Sequence, residues 1–261
     1  MSTAKAETGV RGRGRFLLRK LHSLSGVAPV GVFMVFHLWT NARALNGRGS
    51  FEEGVGEIQK MPYLPLLEIG LVLVPLFFHA LYGVKLAFEG RPNASVYSSS
   101  RNWMYSAQRI TGLLAFAFVI WHLSAYWLPK WSGRMTPDQF YPALCADLSR
   151  VSSGVPLVAL GYVFGIAACV FHFANGLWGF CCSWGITVTQ RAQRLSAAVF
   201  GVLGIAVFLL GANTAIYFAT GARLALFGVP RETRVAELVR TCGDPAATPL
   251  SSPRPGVQHG R

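Results

Sequence analysis

Five long apolar stretches punctuate the chain, near residues 24–43, 64–88, 107–128, 155–180 and 196–218, with polar or basic residues between them. Each holds about 20 residues, enough to cross roughly 30 Å of hydrocarbon at the helical rise of about 1.5 Å per residue. The pattern predicts an all-α integral membrane protein with five transmembrane helices and no separate domain large enough to bury its own core. Three regions follow from it: a basic segment over 1–20, a transmembrane domain over 21–218 and a polar tail over 219–261. The basic segment reads as disordered up to about Arg15. The tail reads so from Asp244, where Pro, Ser and Arg accumulate and His259 falls. The first apolar run is full length and lacks a small-residue cleavage site after a short core, so it reads as a span and not as a cleaved leader.

Composition agrees. Hydrophobic residues make up 52% and charged residues 13%, against about 25% charged in an ordinary soluble domain. The net charge of +13 flanks the apolar spans, and this points to membrane topology and a protein-facing surface. Zinc-finger spacing, helix-turn-helix patterning, basic–aromatic patches and a glycine-rich phosphate loop are all missing from the sequence, which argues against nucleic-acid or nucleotide binding. The positive-inside rule places the N-terminus in the cytoplasm, together with the segments 89–109 and 181–194. The segments 44–63 and 129–154 then lie outside with most of the loop acids, Glu52, Glu53, Glu57, Asp138 and Asp147, and so does the C-terminus. The basic residues of the tail run against the rule. Trp39, Trp103, Trp127 and Trp131 stand near span ends, as an interfacial belt requires. The five cysteines lack metal-cluster spacing, and Cys169, Cys181 and Cys182 read as small packing residues. Cys145 and Cys242 both fall outside and form a candidate disulfide.

The candidate chemistry lies in four histidines, one in each of the first four spans: His37, His79, His122 and His172. An imidazole in hydrocarbon is costly unless something binds it. Alternating span direction gives depth. At helical rise His37 and His122 lie roughly 20 and 18 Å from the inner edge, while His79 and His172 lie roughly 22 and 25 Å from the outer edge. His37 and His122 therefore share an outer level, and His79 and His172 an inner one. Two pairs at two levels suit two stacked six-coordinate haems, each iron taking one imidazole from either side. A zinc or copper site would gather its ligands at one level. A ligating imidazole also donates its second N–H, and acceptors one turn back are expected at Phe33, Pro75, Phe118 and Ala168. Pro75 frees the Leu71 carbonyl and can kink its span. On the fourth span Gly161, Gly165, Ala168, His172, Gly176 and Gly179 fall on one face, where small residues admit a neighbouring helix or a flat macrocycle. Gly83 and Gly26 share the faces of His79 and His37. Glu68 is a carboxylate well inside a span, eleven residues before His79 and close to its face. It is expected just outside the outer pair, as a catalytic or proton-relaying residue at a quinone pocket.

Longer motifs carry a resemblance over about residues 16–218: RKLHSLSGVAPVG followed by HLWTN, LEIGLVLVPLFFHALYG, RNWMYSAQRITG with WH, and FHFANGLWGFCCSWGITVTQRAQR. The chain resembles the dihaem cytochrome b membrane anchor of succinate dehydrogenase, of the five-helix Gram-positive type. The resemblance implies that His37, His79, His122 and His172 ligate two haem b irons. It implies flavoprotein and iron–sulfur partners on the cytoplasmic face of a bacterial inner membrane, and a quinone, menaquinone in this type, as electron acceptor. Related anchors serve quinol:fumarate reductases. A hydrogenase or formate dehydrogenase cytochrome b spaces its ligands differently, and a transporter would show broken helices or inverted repeats. Neither flavin nor iron–sulfur motifs are present, so dicarboxylate chemistry is expected on other subunits. His22 lies before the apolar run and is expected as a non-ligand. With Arg19, Ser25, Gln108 and Arg109 it is a candidate donor to a propionate of the inner haem.

Overall fold

The computed structural model describes residues 2–90 and 100–223, with side chains described from Gly12 onward. Five helices are long and apolar enough to cross a membrane: α1 (Gly12–Asn46), α3 (Leu64–Glu89), α4 (Ser100–Trp131), α6 (Leu157–Ser183) and α7 (Gln190–Thr220). The first, third and fifth of these spans, α1, α4 and α7, extend well past their apolar stretches because the flanking Arg, Lys, Gln and Ala are compatible with helix. The expected disorder before Arg15 gives way to helix from Ser2 for the same reason. Large apolar side chains such as Val32, Leu66, Leu81 and Phe164 stay exposed on these helices, as lipid-facing residues must.

Three of the spans are locally unwound into π-helix, at Gly26–Gly31, Leu67–Leu73 and Leu123–Trp127. Each segment contains or closely precedes a proline: Pro29, Pro75 and Pro129. A proline lacks the N–H that the carbonyl four residues earlier would accept, and widening the turn is how the helix absorbs the loss. The kink expected from Pro75 thus takes the form of a wider turn, repeated in each of the first three histidine-bearing spans. The spans α6 and α7 have no internal proline and remain regular. Thr189 caps α7 through its hydroxyl, which accepts from the Ala192 N–H at 3.1 Å, and Gly221 ends that helix in the left-handed conformation at φ 69°.

The two segments expected as outer loops contain short helices, α2 (Arg48–Gln59) and α5 (Phe140–Leu148). They bury Phe51, Tyr141, Leu144 and Leu148 against Tyr217 and Phe218 of α7 and Tyr162 of α6. The densest apolar core is therefore a cap over one end of the bundle. At the other end Lys20 donates to the Ser183 carbonyl at 2.6 Å, Trp184 to the Ser23 hydroxyl at 3.0 Å and Arg101 to Gln193 at 2.7 Å.

Candidate haem-binding site

The helix directions bring the histidines together in twos. The rings of His37 and His122 have centroids 5.7 Å apart and stand edge to face at 72°. Those of His79 and His172 lie 6.0 Å apart at 80°. Both pairs line one apolar cavity of about 1090 Å³ between α1, α3, α4 and α6. Among the described residues no three His, Cys, Asp or Glu side chains gather as an ion site.

The second ring nitrogens are held from neighbouring helices. His79 Nδ1 lies 2.9 Å from the His22 carbonyl, and His172 Nδ1 lies 3.0 Å from the Gln108 carbonyl. His122 Nδ1 lies 3.1 Å from the Tyr162 hydroxyl. This corrects the expectation that the acceptors lie one turn back at Pro75, Phe118 and Ala168. Each ring reaches across the bundle to the facing helix instead of back along its own, so the acceptors come from other spans. His37 has the side-chain amide of Asn41 beside it, 3.4 Å from Nε2 and 3.5 Å from Nδ1, in place of the Phe33 carbonyl.

This donor set fits a bis-imidazole haem. When Nδ1 carries the proton and donates it to an acceptor, Nε2 keeps its lone pair for a metal. The backbone approaches the rings closely. A Cβ on Gly26 would sit 2.2 Å from Cε1 of His79, and one on Gly112 would sit 2.9 Å from Cε1 of His172. The small-residue stripe of α6 faces α4 and is partly filled. A Cβ on Gly161 would meet Trp121 at 3.1 Å, one on Gly165 Phe118 at 2.1 Å and one on Gly176 Gln108 at 3.2 Å.

The remaining candidates divide. His22 stacks on His79 at 4.2 Å with the planes 4° apart, and its Nε2 is buried without a partner. Arg109 lies over the Tyr105 ring at 4.0 Å, and its Nη1 is likewise buried without a partner. Both line the cavity, and two unpartnered buried donors at one end are suited to an anion. Gln108 also faces the cavity but donates to the His172 carbonyl at 3.0 Å. Ser25 donates to the His22 carbonyl at 2.9 Å and is not among the cavity's lining residues. Arg19 is exposed.

Glu68 faces the other end of the cavity, where it forms an ion pair with Lys130. The two side chains are 23% and 18% exposed, so neither charge is fully solvated. A second space of about 370 Å³ opens beside them, bounded by Tyr63, Met61 and Trp131. Tyr63 holds a left-handed backbone conformation there at φ 59°, a strained state for a non-glycine residue. Lys130 and Tyr162 were not among the sequence-derived candidates. Lys130 reads as an interfacial cation beside Trp131. Tyr162 adjoins Gly161 of the small-residue stripe, and that adjacency was the available signal.

Residues 89–212 match the family described as the succinate dehydrogenase/fumarate reductase transmembrane subunit. The succinate dehydrogenase cytochrome b558 subunit of Bacillus subtilis (strain 168) is 37% identical over 207 residues, covering 79% of this chain and 98% of that protein. With its five apolar spans and paired cavity histidines, the chain belongs to the succinate dehydrogenase/fumarate reductase transmembrane cytochrome b subunits.

Proposed function

We propose that this chain is the membrane anchor and electron-transfer subunit of a succinate:quinone oxidoreductase and holds two b haems. His37 and His122 ligate the outer one, and His79 and His172 the inner one. The observation that carries this reading is the meeting of four helices' histidines in two edge-to-face pairs inside one cavity. When bound, the haems supply one-electron carriers between an iron–sulfur partner and quinone. The residues hold, orient and screen that chemistry. Carbonyls of His22 and Gln108 fix the tautomers of His79 and His172, the hydroxyl of Tyr162 orients the His122 ring, and the apolar cavity excludes water. His22 Nε2 and Arg109 are suited to receive a propionate of the inner haem.

The chain sits in a bacterial cytoplasmic membrane with its N-terminus inside and its C-terminus outside. Flavoprotein and iron–sulfur subunits dock on the inner face, where Arg13, Arg15, Arg19, Arg191 and Arg194 are exposed. Quinone, menaquinone in this reading, is reduced at the opposite end beside Glu68 and Lys130. The carboxylate relays a proton to the reduced ring, and the ammonium steadies the charge that develops there. Electrons then move toward the positive side, where each charge gains about 2.3 kcal/mol per 100 mV.

A reduced-minus-oxidised spectrum of the purified complex tests the reading, which requires two b-type components with separate midpoints. Absence of a b-type spectrum overturns it.

A further inference from the structure

Of the four tryptophans expected as an interfacial belt, Trp39, Trp103 and Trp131 are exposed and Trp127 is half-buried. A belt tryptophan keeps its indole N–H at the polar edge of the membrane. Trp127 does not: its Nε1 is buried without a hydrogen-bond partner, and the residue lines the main cavity. The wide turn of α4 is the cause. At about 100° per residue, a regular α-helix would carry Trp127 about 140° away from His122, five residues earlier. Over Leu123–Trp127 the turns close over five residues, as in the bond from the Leu128 N–H to the Leu123 carbonyl. Trp127 thereby returns toward the cavity face that holds His122.

Its surroundings define what the N–H can meet. The indole stacks on Trp131 at 5.6 Å with the planes 15° apart, which fixes the ring. Lys130 stands three residues further along α4, a neighbouring position on the helix surface, and pairs with Glu68 of α3. Trp127, Lys130 and Glu68 all line the cavity beyond His122. The two ends of the cavity then differ in kind. At the inner end the unpartnered nitrogen of Arg109 belongs to a cation, which suits an anion. At the outer end the cation is already paired with a carboxylate, and the unpartnered donor is a neutral indole N–H. A neutral donor beside a compensated ion pair favours a neutral acceptor such as a ring carbonyl. A second carboxylate there would be repelled by Glu68.

We infer that the Trp127 Nε1–H donates a hydrogen bond to one ring carbonyl oxygen of the quinone, the other oxygen being the one served by Glu68 and Lys130. The inference rests on the proposed quinone site beside that ion pair. Reduction to the quinol adds two electrons, supplied by succinate through the partner subunits, and two protons. The oxygen beside Glu68 receives its proton through the carboxylate. The oxygen at Trp127 receives its proton from water at the outer face, because an indole nitrogen holds a hydrogen bond without giving up its own proton. Trp127 is therefore a binding group and also a fixed dipole aimed at an oxygen that gains negative charge. Such a bond strengthens as the charge develops.

The test uses the purified complex with succinate as donor and menadione, a naphthoquinone without a tail, as acceptor. Trp127→Phe keeps an aromatic ring against Trp131 and removes the N–H. The expected result is a fall in kcat/KM for menadione of about 10- to 100-fold, the range for one hydrogen bond to a group that gains charge. Both b-type components keep their midpoints, and electron flow from succinate to a dye at the inner face keeps the parent rate. Trp127→Met fills the space without a donor and gives the same fall; it supplies the reading if Trp127→Phe does not assemble. An unchanged kcat/KM in an assembled variant overturns the inference. A shifted midpoint or a lost outer component overturns it too, since the donor then serves the haem. If the Trp127 variants keep the parent rate while Glu68→Gln with Lys130→Met is slow, the quinone site beside the ion pair stands and the role of Trp127 falls. If all of them keep the parent rate, that site falls as well.

Discussion

His79 Nδ1 lies 2.9 Å from the backbone carbonyl of His22, a residue 57 positions earlier on a different helix. The same carbonyl takes the Ser25 hydroxyl at 2.9 Å, and the His22 ring lies flat against that of His79. One turn of α1 therefore sets both the tautomer and the tilt of a histidine on α3. The consequence is pairwise specificity: each imidazole is built for one partner at one level. Replacing His37 or His122 by alanine should remove the outer b-type component, and replacing His79 or His172 the inner one. Difference spectra of the four variants check this. Loss of the same component in His37→Ala and His79→Ala would contradict the pairing.

The close approach at Gly26 and Gly165 makes a second prediction. A Cβ at Gly26 would overlap the His79 ring, and one at Gly165 would overlap Phe118, whereas one at Gly179 meets nothing within 4 Å. Overpacking of a filled core costs about 1–3 kcal/mol. Gly26→Ala should therefore weaken retention of the inner haem, and Gly165→Ala should lower the thermal stability of the α4–α6 contact. Gly179→Ala lies on the same helical face as Gly165 and should be neutral within about 0.5 kcal/mol or slightly stabilising. Haem content and thermal unfolding of the purified complex read both effects. Equal losses in Gly165→Ala and Gly179→Ala would show that the stripe matters as composition and not as contact.

The spans, their number and the two levels of histidines were legible in the sequence because each depends on length, rise and alternation along a single helix. The pairing of His37 with His122 followed from the same arithmetic. What links the helices was not legible. The acceptors for His79, His122 and His172 come from His22, Tyr162 and Gln108, and no periodicity along one helix reports a partner on another. The cap over the bundle end is a similar case. Phe51 and Tyr141 look like loop residues in a polar context, and only their packing on Phe218 shows that they seal the bundle end. Glu68 stood out as a candidate because it is an intramembrane acid in an apolar run. Lys130 was overlooked because a lysine beside tryptophan at a span end is also what an interface anchor looks like.

Cysteine chemistry supplies a third prediction. Cys145 is disulfide-bonded, and Cys169, Cys181 and Cys182 are free thiols. The fifth cysteine, Cys242, lies outside the described residues. On an oxidising outer face the pairing expected from topology joins Cys145 to Cys242. Peptide mapping without reductant should recover the two in one linked peptide. Recovery of an unlinked Cys145 peptide would remove the bond and, with it, this support for an outside C-terminus.

The final prediction concerns Glu68 and Lys130. Their ion pair is partly buried, and breaking such a pair from one side leaves the other charge in a poor solvent. For fully buried pairs that costs about 3–5 kcal/mol, and the residual exposure here reduces the figure. Glu68→Gln should thus disturb both stability and quinone reduction, and stability alone cannot identify the role. Glu68→Gln with Lys130→Met removes both charges and should regain much of the stability, since replacing a buried pair by apolar groups is often neutral. If the pair serves quinone, the double variant stays slow in quinone reduction despite its recovered stability and with both haems retained. If the pair is only structural, activity returns with stability. The location adds a second readout. Reduction of quinone at the outer end takes two electrons across the membrane field, a gain of up to about 4.6 kcal/mol per 100 mV. Electron flow from succinate to a low-potential quinone in sealed vesicles should therefore fall when an uncoupler collapses the field, and artificial acceptors on the inner face should be reduced at an unchanged rate. A rate to quinone that ignores the uncoupler, together with full activity of the double variant, would place the quinone site away from Glu68.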